Sequence, residues 1–256
     1  MDFACRPPTD HWQPATGPCS TATIPPMRRS ALLLFLTVFL AAQAAPEVEI
    51  TAEPHHHQIL TNDQVRVFTV NVLPHTDTLL HRHRHDYIYV TLGDSEVVNA
   101  VQGKDPVTVK LQDGQTGFLS GGYAHIARNL SNNPFRNVTI ELLQDDQLRH
   151  STHHWDATRG LEILPGGTEQ ILFVQDAVRA SEFEVQPGGM VPLHHHTGPH
   201  LAVAITDLKF RSQVEGKAAS EVEMKSGESL WIKGGFSHTL TNIGTHPAKW
   251  VTLEFP

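Results

Sequence analysis

The chain has only two cysteines in 256 residues, and both of them, Cys5 and Cys19, lie ahead of residue 27. A chain processed near residue 44 would therefore contain no thiol and no disulfide. Any metal site in that chain must use nitrogen and oxygen ligands, because iron–sulfur clusters and thiolate-bound zinc require cysteine.

The sequence also lacks any run of basic residues. Its 19 lysines and arginines are outnumbered by 27 aspartates and glutamates, which gives a formal net charge of −8. A protein that follows a phosphate backbone needs a positive surface. Nucleic acid is therefore not expected as a partner.

No apolar run is long enough for a membrane span, which needs about 20 apolar residues. The run Ala31–Ala42 follows a basic Met27–Ser30 segment and leads into the small residues Ala42–Ala44. This three-part layout is typical of a secretory signal peptide. We predict a signal peptide at 27–44, preceded at 1–26 by a dispensable segment upstream of the true start. The mature protein is expected to be secreted or periplasmic, without a stable membrane anchor.

A gapless internal repeat is the strongest positive feature of the sequence. Asn62 to Leu143 recurs at Gln175 to Pro256 with a constant offset of 113, and 23 of the 82 aligned pairs are identical. Such self-similarity indicates an internal duplication. We predict a first barrel with a leading arm at 45–145, a linker at 146–172 and a second barrel at 173–256.

Each copy alternates short β-type segments with turn residues and contains no convincing amphipathic helix. In the first copy these segments are Val65–Val70, Tyr87–Leu92, Val107–Leu111, Thr116–Leu119 and Val138–Leu142. Many short strands in units of about 80 residues are typical of closed barrels and double-sheet jelly rolls. The predicted fold class is all-β, with two tandem barrels.

The second copy carries two ordered histidine motifs. They read Gly188-x5-His194-x-His196-x3-His200 and Gly227-x5-Lys233-x-Gly235-x2-His238-x3-Asn242. This pattern resembles the two motifs of the cupin superfamily, and the duplication resembles its two-domain members, the bicupins, of the secreted bacterial type. The resemblance implies double-stranded β-helix barrels and a metal held by two close histidines, usually a glutamate, and a third histidine. Since His200 stands where the glutamate is expected, the implied ligands are His194, His196, His200 and His238.

The spacing of these histidines has a physical reason. Residues two apart on a strand point to the same face, so His194 and His196 both point inward, and His200 keeps the same parity. His195 has the opposite parity and should face outward. Several imidazoles converging in an apolar barrel are costly to bury unless a metal offsets that cost.

In the first copy the corresponding histidines are His81, His83 and His125. Tyr87 stands at the position of His200, so the acid of the family pattern is either missing or shifted to Asp86. His85 shares the parity of His81 and could substitute as a fourth ligand. The first site is therefore predicted either as a weaker metal site, with Tyr87 or His85 alongside its three histidines, or as a purely structural copy.

Three further groups of residues carry expectations. The triplet His55–His57 is predicted to lie in a linker or on the surface. Glu141 and Glu254, paired by the repeat, are either inward acids that orient a ligand histidine or exterior glutamates. Arg82 and Arg84 alternate with the histidines, so they should face outward without a catalytic role.

Because cupins include dioxygenases, decarboxylases, isomerases, lyases and non-catalytic binders, the resemblance does not name the reaction. Three or four protein ligands leave coordination positions open on a divalent transition metal, which favours Fe, Mn, Cu or Ni over Zn. Our prediction is a metal-dependent oxidoreductase of the dioxygenase type acting on a small organic molecule. The alternatives are a non-catalytic metal or small-ligand binder, and a lyase or isomerase that uses the metal as a Lewis acid. No cationic cluster faces the barrel, which counts against a dicarboxylate decarboxylase. The protein is expected as a monomer or a homodimer.

Overall fold

The computed structural model describes residues 46–256, which fold almost entirely into β-strands. Within this range the chain has one 3-10 turn at Ile50–Ala52 and one α-helix, α1, at Asp145–Arg149. The all-β prediction is therefore confirmed. The predicted segments 1–26 and 27–44 lie outside the described residues. No helix in the described range is both long and apolar enough to cross a membrane.

The first ten strands form two five-stranded sheets. Their bounds are β1 Val48–Glu49, β2 His56–Thr61, β3 Val65–Val72, β4 His81–His83, β5 Tyr87–Thr91, β6 Ser95–Val101, β7 Val107–Leu111, β8 Thr116–Leu119, β9 Tyr123–Asn129 and β10 Phe135–Leu142. One sheet has the order β1-β4-β9-β6-β7 and the other β2-β3-β10-β5-β8. The short β1 runs parallel to β4. The two sheets together make the first barrel.

The next ten strands form a six-stranded and a four-stranded sheet. Their bounds are β11 Gly160–Leu164, β12 Gly167–Gln175, β13 Val178–Val185, β14 Met190–His196, β15 His200–Ala204, β16 Leu208–Val214, β17 Ser220–Met224, β18 Ser229–Ile232, β19 Phe236–Asn242 and β20 Ala248–Glu254. The sheet orders are β11-β12-β13-β20-β15-β18 and β14-β19-β16-β17. These sheets make the second barrel.

The main core lies between the two barrels. Apolar side chains of β3, β5 and β10 pack with those of β13, β15 and β20 in one continuous cluster, in which Ile140 and Leu253 are completely buried. Successive side chains of a strand point to opposite faces. Ile140 accordingly faces the partner barrel while its neighbour Thr139 lines the interior of the first barrel. Most positions of β5 and β15 are buried, so both faces of these two strands lie inside the molecule.

The segment predicted as a linker, 146–172, is not irregular throughout. Its second half contains β11 and most of β12, and β12 pairs along its length with β13 of the second barrel. By the offset of 113, β12 is the counterpart of β2. The structural repeat therefore extends upstream of Asn62 and Gln175, into residues whose identities have diverged. The domain boundaries themselves stay predictions.

Candidate metal centres

Three histidines of the second barrel meet at the barrel interior. His194 and His196 lie on β14, and His194 pairs in register with His238 on β19. The Nε2 atom of His194 lies 3.0 Å from Nε2 of His196 and 3.0 Å from Nε2 of His238. Two nitrogens bound to one ion at about 2.1 Å lie about 3.0 to 3.4 Å apart, depending on the coordination geometry. The spacing of these nitrogens therefore fits one shared metal ion.

The other ring nitrogens show which atoms are free to bind. Nδ1 of His194 lies 2.7 Å from the carbonyl oxygen of Pro192, which can only accept, so Nδ1 carries the proton and Nε2 carries the lone pair. Nδ1 of His238 is held by the Ser212 hydroxyl at 3.2 Å. Such contacts fix the tautomer and the orientation of a ligand histidine. Burial lowers the pKa of His194 and lowers that of His238 to about 3, so both rings are neutral near pH 7 and can act as ligands.

His200 takes a different position from the one predicted. Its ring stacks on that of His196, with centroids 3.8 Å apart and planes inclined by 19°. An imidazole nitrogen binds a metal in the plane of its ring, and two nearly parallel rings cannot both contain the same ion in their planes. The group of converging ligand atoms is accordingly His194, His196 and His238, without His200. His195 is exposed, as its parity predicted.

The first barrel repeats this arrangement with His81 and His83 on β4 and His125 on β9. His81 pairs in register with His125, and Nε2 of His83 lies 3.2 Å from Nε2 of His125. Nδ1 of His81 faces the Leu79 carbonyl at 2.9 Å, which leaves its buried Nε2 without a hydrogen-bond partner. Burial lowers the pKa of His81 to about 4 and that of His125 to about 3. The three predicted ligands of the first site are thus brought together as neutral imidazoles.

A fourth histidine joins this group, and the sequence interpretation missed it. His56, predicted to lie in a linker or on the surface, is only 9% exposed, and its ring centroid lies 4.7 Å from that of His81. Ligand atoms of His56, His81 and His83 lie within 4.8 Å of one another. His56 and His57 alternate, as their places on β2 require: His56 is buried and His57 is exposed. The signal that could have found His56 is the strand parity of the triplet, which only becomes visible once β2 is recognised as a strand.

Glu53, a buried residue of the leading arm, holds His56 in place. Its carboxylate accepts hydrogen bonds from Nδ1 of His56 at 2.6 Å, from Nδ1 of His55 at 2.8 Å and from the backbone N–H of Leu79 at 3.1 Å. Burial acts to raise the pKa of Glu53, but these hydrogen bonds outweigh it and lower the pKa to about 2. A carboxylate that fixes a histidine from behind is a common partner of metal-binding imidazoles.

The other fourth-ligand candidates of the first site do not join the group. The Tyr87 ring stacks on His83 at 4.1 Å and 19°, in the way that His200 stacks on His196. Its hydroxyl contacts that of Tyr123 at 2.5 Å, and burial raises the pKa of Tyr87, so the phenol stays protonated. His85 is part-exposed and lies 3.5 Å from Asp145.

Asp86, the remaining candidate acid, is buried and committed to structural contacts. Its carboxylate pairs with Arg149 of α1 and accepts a hydrogen bond from the Gly121 N–H at 2.8 Å. The helix that follows the first barrel is thereby tied to the loop that precedes His125. Both features explain why an acid stands at this position without turning toward the metal ligands.

The paired glutamates both lie on the last strand of their barrel, and both are inside. Glu254 lies 3.4 Å from Nδ1 of His196 and is hydrogen-bonded to Arg179 at 2.6 Å. Burial acts to raise the pKa of Glu254, but His196 and Arg179 lower it. Glu141 is 1% exposed, with Arg66 at 3.6 Å, and its pKa is raised by burial. Both glutamates therefore lie inward, but only Glu254 contacts a candidate ligand histidine.

The arginines between the histidines face outward as predicted. Arg82 pairs with Glu47 and Arg84 pairs with Glu49, both from the arm that carries β1. These two ion pairs accompany the parallel β1–β4 ladder. They hold the arm against the outside of β4 while His81 and His83 point into the barrel.

Each histidine group lines a cavity. The first cavity, of about 130 Å³, also contains polar side chains, among them Tyr89, Asn99 and Asn137. The second, of about 240 Å³, is walled mainly by apolar side chains such as Phe210, Met224 and Trp250. No lysine or arginine lines either of these two cavities.

Comparison with known proteins agrees with this geometry. A family model described as "Cupin domain" matches residues 181–254. No curated protein matches the sequence. Among solved structures, the chain is similar to the formate complex of Lactobacillus farciminis oxalate decarboxylase, with 14% identity, 76% of this chain and 78% of that chain covered, and a TM-score of 0.55.

It is also similar to Bacillus subtilis oxalate decarboxylase at pH 4.6, with 14% identity, 75% and 68% coverage and a TM-score of 0.55. Another structure of the Bacillus subtilis enzyme, described by its Mn(II) centres, shares 14% identity over 80% of this chain and 75% of that chain, with a TM-score of 0.54. Residues 181–254 of the second barrel match the cupin domain model, and the described chain has the bicupin-like fold.

Proposed function

We propose that the chain is a metal-dependent cupin whose second barrel is a reactive centre of the oxidoreductase, dioxygenase type, acting on a small organic molecule. The observation that carries this proposal is the convergence of the Nε2 atoms of His194, His196 and His238 beside a cavity of about 240 Å³. Three protein ligands leave positions open for exogenous molecules on Fe or Mn. A bound redox-active ion would supply the one-electron chemistry that dioxygen requires.

The residues of the chain orient and isolate this centre. The Pro192 carbonyl, the Ser212 hydroxyl and the Glu254 carboxylate each contact the outer nitrogen of one candidate ligand. Fixed in this way, the rings need little reorganisation to bind an ion. The apolar walls of the cavity keep bulk water away from the open side of the three histidines.

Metal analysis of the mature, untagged protein tests the proposal. We expect stoichiometric iron, manganese, copper or nickel in the wild type, and loss of the second-barrel ion in His196→Ala. The adjacent His195→Ala is the matched control, because its side chain is exposed and should leave the metal content unchanged. A wild-type protein that holds no metal after reconstitution would contradict the proposal and leave a histidine-rich binding barrel.

Oxygen uptake distinguishes the classes of reaction. Turnover that consumes dioxygen with iron and stops when zinc replaces it supports the oxidoreductase. Turnover that persists with zinc supports a Lewis-acid lyase or isomerase instead. Tight metal binding without turnover supports a non-catalytic binder. The absence of lysine and arginine from the two cavity linings speaks against an oxalate-like dianion, although the similar solved structures are oxalate decarboxylases.

We also propose that the first barrel binds a metal, through four histidines rather than three. The supporting observation is His56, whose outer nitrogen is held by the buried Glu53 and whose ring packs on His81. His56→Ala should lower the affinity of the first site at least tenfold, whereas His57→Ala, one residue away and exposed, should not change it. Equal effects of the two substitutions would contradict the role of His56.

Export of the protein is a separate proposal, supported only by the residues at 27–44. Sequencing the N-terminus of the protein recovered from the periplasm or the medium tests it, and we expect a start at Ala45. A protein that stays in the cell with its N-terminal residues intact would contradict it.

A further inference from the structure

We infer that the second cavity takes an uncharged, largely apolar molecule containing an aromatic ring, rather than a small carboxylate. The inference rests on the proposed function, because it names the class of substrate for that centre. Its first support is the absence of charged side chains: no Lys, Arg, Asp or Glu lines this cavity. An anion placed there would lose its hydration without gaining a cationic partner from the walls, which is costly.

The aromatic walls give the second support. Trp250 stacks on Phe183 with centroids 4.7 Å apart and planes 6° apart, and it meets Phe210 edge-on at 4.9 Å. Phe236 stands edge-on to His238 at 5.0 Å. Faces and edges of this kind favour a flat ring as guest. An apolar cavity of about 150 Å³ accommodates benzene, so about 240 Å³ leaves room for a substituted ring.

The indole and serine hydroxyl groups of the lining are occupied already, whereas Nδ1 of His196 and Nδ1 of His200 are buried without a hydrogen-bond partner. The indole N–H of Trp250 donates to the Thr252 hydroxyl at 3.1 Å, and the Ser212 hydroxyl contacts Nδ1 of His238. A guest with several polar groups would find few partners and would lose the hydrogen bonds it makes with water. A guest molecule with one metal-binding oxygen on an apolar ring fits this lining.

The first barrel is an internal reference for this reasoning. By the offset of 113, Val191 and Trp250 of the second cavity correspond to Thr78 and Asn137 of the first. Equivalent positions of the two cavities therefore carry polar side chains in the first barrel and apolar side chains in the second. The fold does not impose the apolar lining, so the lining reflects what the second cavity binds.

A matched pair of probes tests the inference. Calorimetric titration of the metal-free wild type should show 4-ethylphenol binding at least tenfold more tightly than 4-ethylbenzoate, which is charged at pH 7, and oxalate should not bind. Measuring the metal-free protein prevents a carboxylate from binding through an ion. Tighter binding of 4-ethylbenzoate or oxalate would overturn the inference.

Two variants locate the bound probe. Leu230→Lys introduces a charge at a cavity residue that is 39% exposed and should weaken 4-ethylphenol at least tenfold. The control Leu161→Lys lies on β11 away from the cavity lining, is 62% exposed, and should leave the affinity within twofold. Phe210→Val installs the side chain found at the aligned Val97, so it fits the frame while removing an aromatic wall. Unchanged affinity in both Leu230→Lys and Phe210→Val would place the probe elsewhere and overturn the inference.

The two proposals can fail independently. If the wild type retains no metal but still prefers 4-ethylphenol, the proposed function fails and the ligand class stands. If His196-dependent metal is present but 4-ethylbenzoate binds more tightly than 4-ethylphenol, the ligand class fails and the metal centre stands.

Discussion

In the first barrel, the arm that precedes the repeat runs along the histidine site, whereas in the second barrel the aligned strand pairs elsewhere. β1 pairs with β4, which carries His81 and His83, but β11 pairs with β12. The arm delivers Glu53 and His56 to the first site. At the position of His56 the second barrel has Glu169, by the offset of 113. The four-histidine and three-histidine groups thus differ by one residue at equivalent places of β2 and β12.

The interface between the barrels has stayed alike while the sites diverged. A Cβ at Gly114 would lie 3.1 Å from Cδ1 of Ile205, and a Cβ at Gly227 would lie 3.1 Å from Cδ1 of Leu92. The two glycines are aligned by the repeat, and so are Leu92 and Ile205. Each barrel therefore presents a glycine turn to the same aliphatic position of the other. This reciprocity is what a two-fold interface between identical subunits produces.

The largest expected effect comes from a glycine that both barrels use in the same way. A Cβ at Gly234 would lie 2.3 Å from the carbonyl oxygen of Gly198, and one at Gly121 would lie 2.3 Å from that of His85. Because backbone must move to relieve either contact, Gly234→Ala and Gly121→Ala should each cost about 3 kcal/mol. For a chain of this size that lowers the melting temperature by roughly 10 °C, measured by calorimetry.

Gly160→Ala serves as the control for both substitutions, because a Cβ there meets no atom within 4 Å. It should change stability by less than about 0.5 kcal/mol. If only one of the two substitutions lowered the melting temperature, the two glycines would not be equivalent in the structures of their barrels.

The tandem β-barrel fold and the inward position of the ligand histidines could be predicted from the sequence. Alternating β-type segments, the offset of 113 and the two motifs give the all-β tandem fold, and strand parity places His194, His196 and His238 inside. The arm could not be read in this way, because the repeat signal ends at Asn62 and β1 has only two residues. The stacked positions of the His200 and Tyr87 rings could not be predicted either, because strand parity gives the face of a strand and does not reveal that two rings stack.

The second prediction compares Glu53 and Glu254, the carboxylates that contact the outer nitrogens of His56 and His196. In a His196→Ala background, where only the first site should bind metal, Glu53→Gln should weaken that site 10- to 100-fold, because His56 loses the carboxylate that orients it. Competition with a chelator of known affinity measures the loss. Glu47→Gln is the control: it removes an exposed acid from the same arm, where it pairs with Arg82 on the outside of the barrel.

The reciprocal experiment uses His83→Ala, which leaves only the second site. Glu254→Gln should then weaken metal binding, whereas Glu53→Gln should not. If Glu53→Gln also lowered the metal affinity of the second site, Glu53 would stabilise the chain as a whole rather than the first site. The proposed difference in role between Glu53 and Glu254 would then be contradicted.

The smallest expected effect tests whether the stacking residue of each barrel is a ligand. His200→Tyr and Tyr87→His exchange the two residues that stack on His196 and His83 at the same 19° inclination. Each side chain already fits this place in the other barrel, so stability should stay close to that of the wild type. Metal content and metal affinity should stay within twofold of the wild type, as measured by elemental analysis and chelator competition. If His200→Tyr instead released the second-barrel metal as His196→Ala does, His200 would be a fourth ligand that turns toward the ion on binding, and both barrels would then hold four histidines.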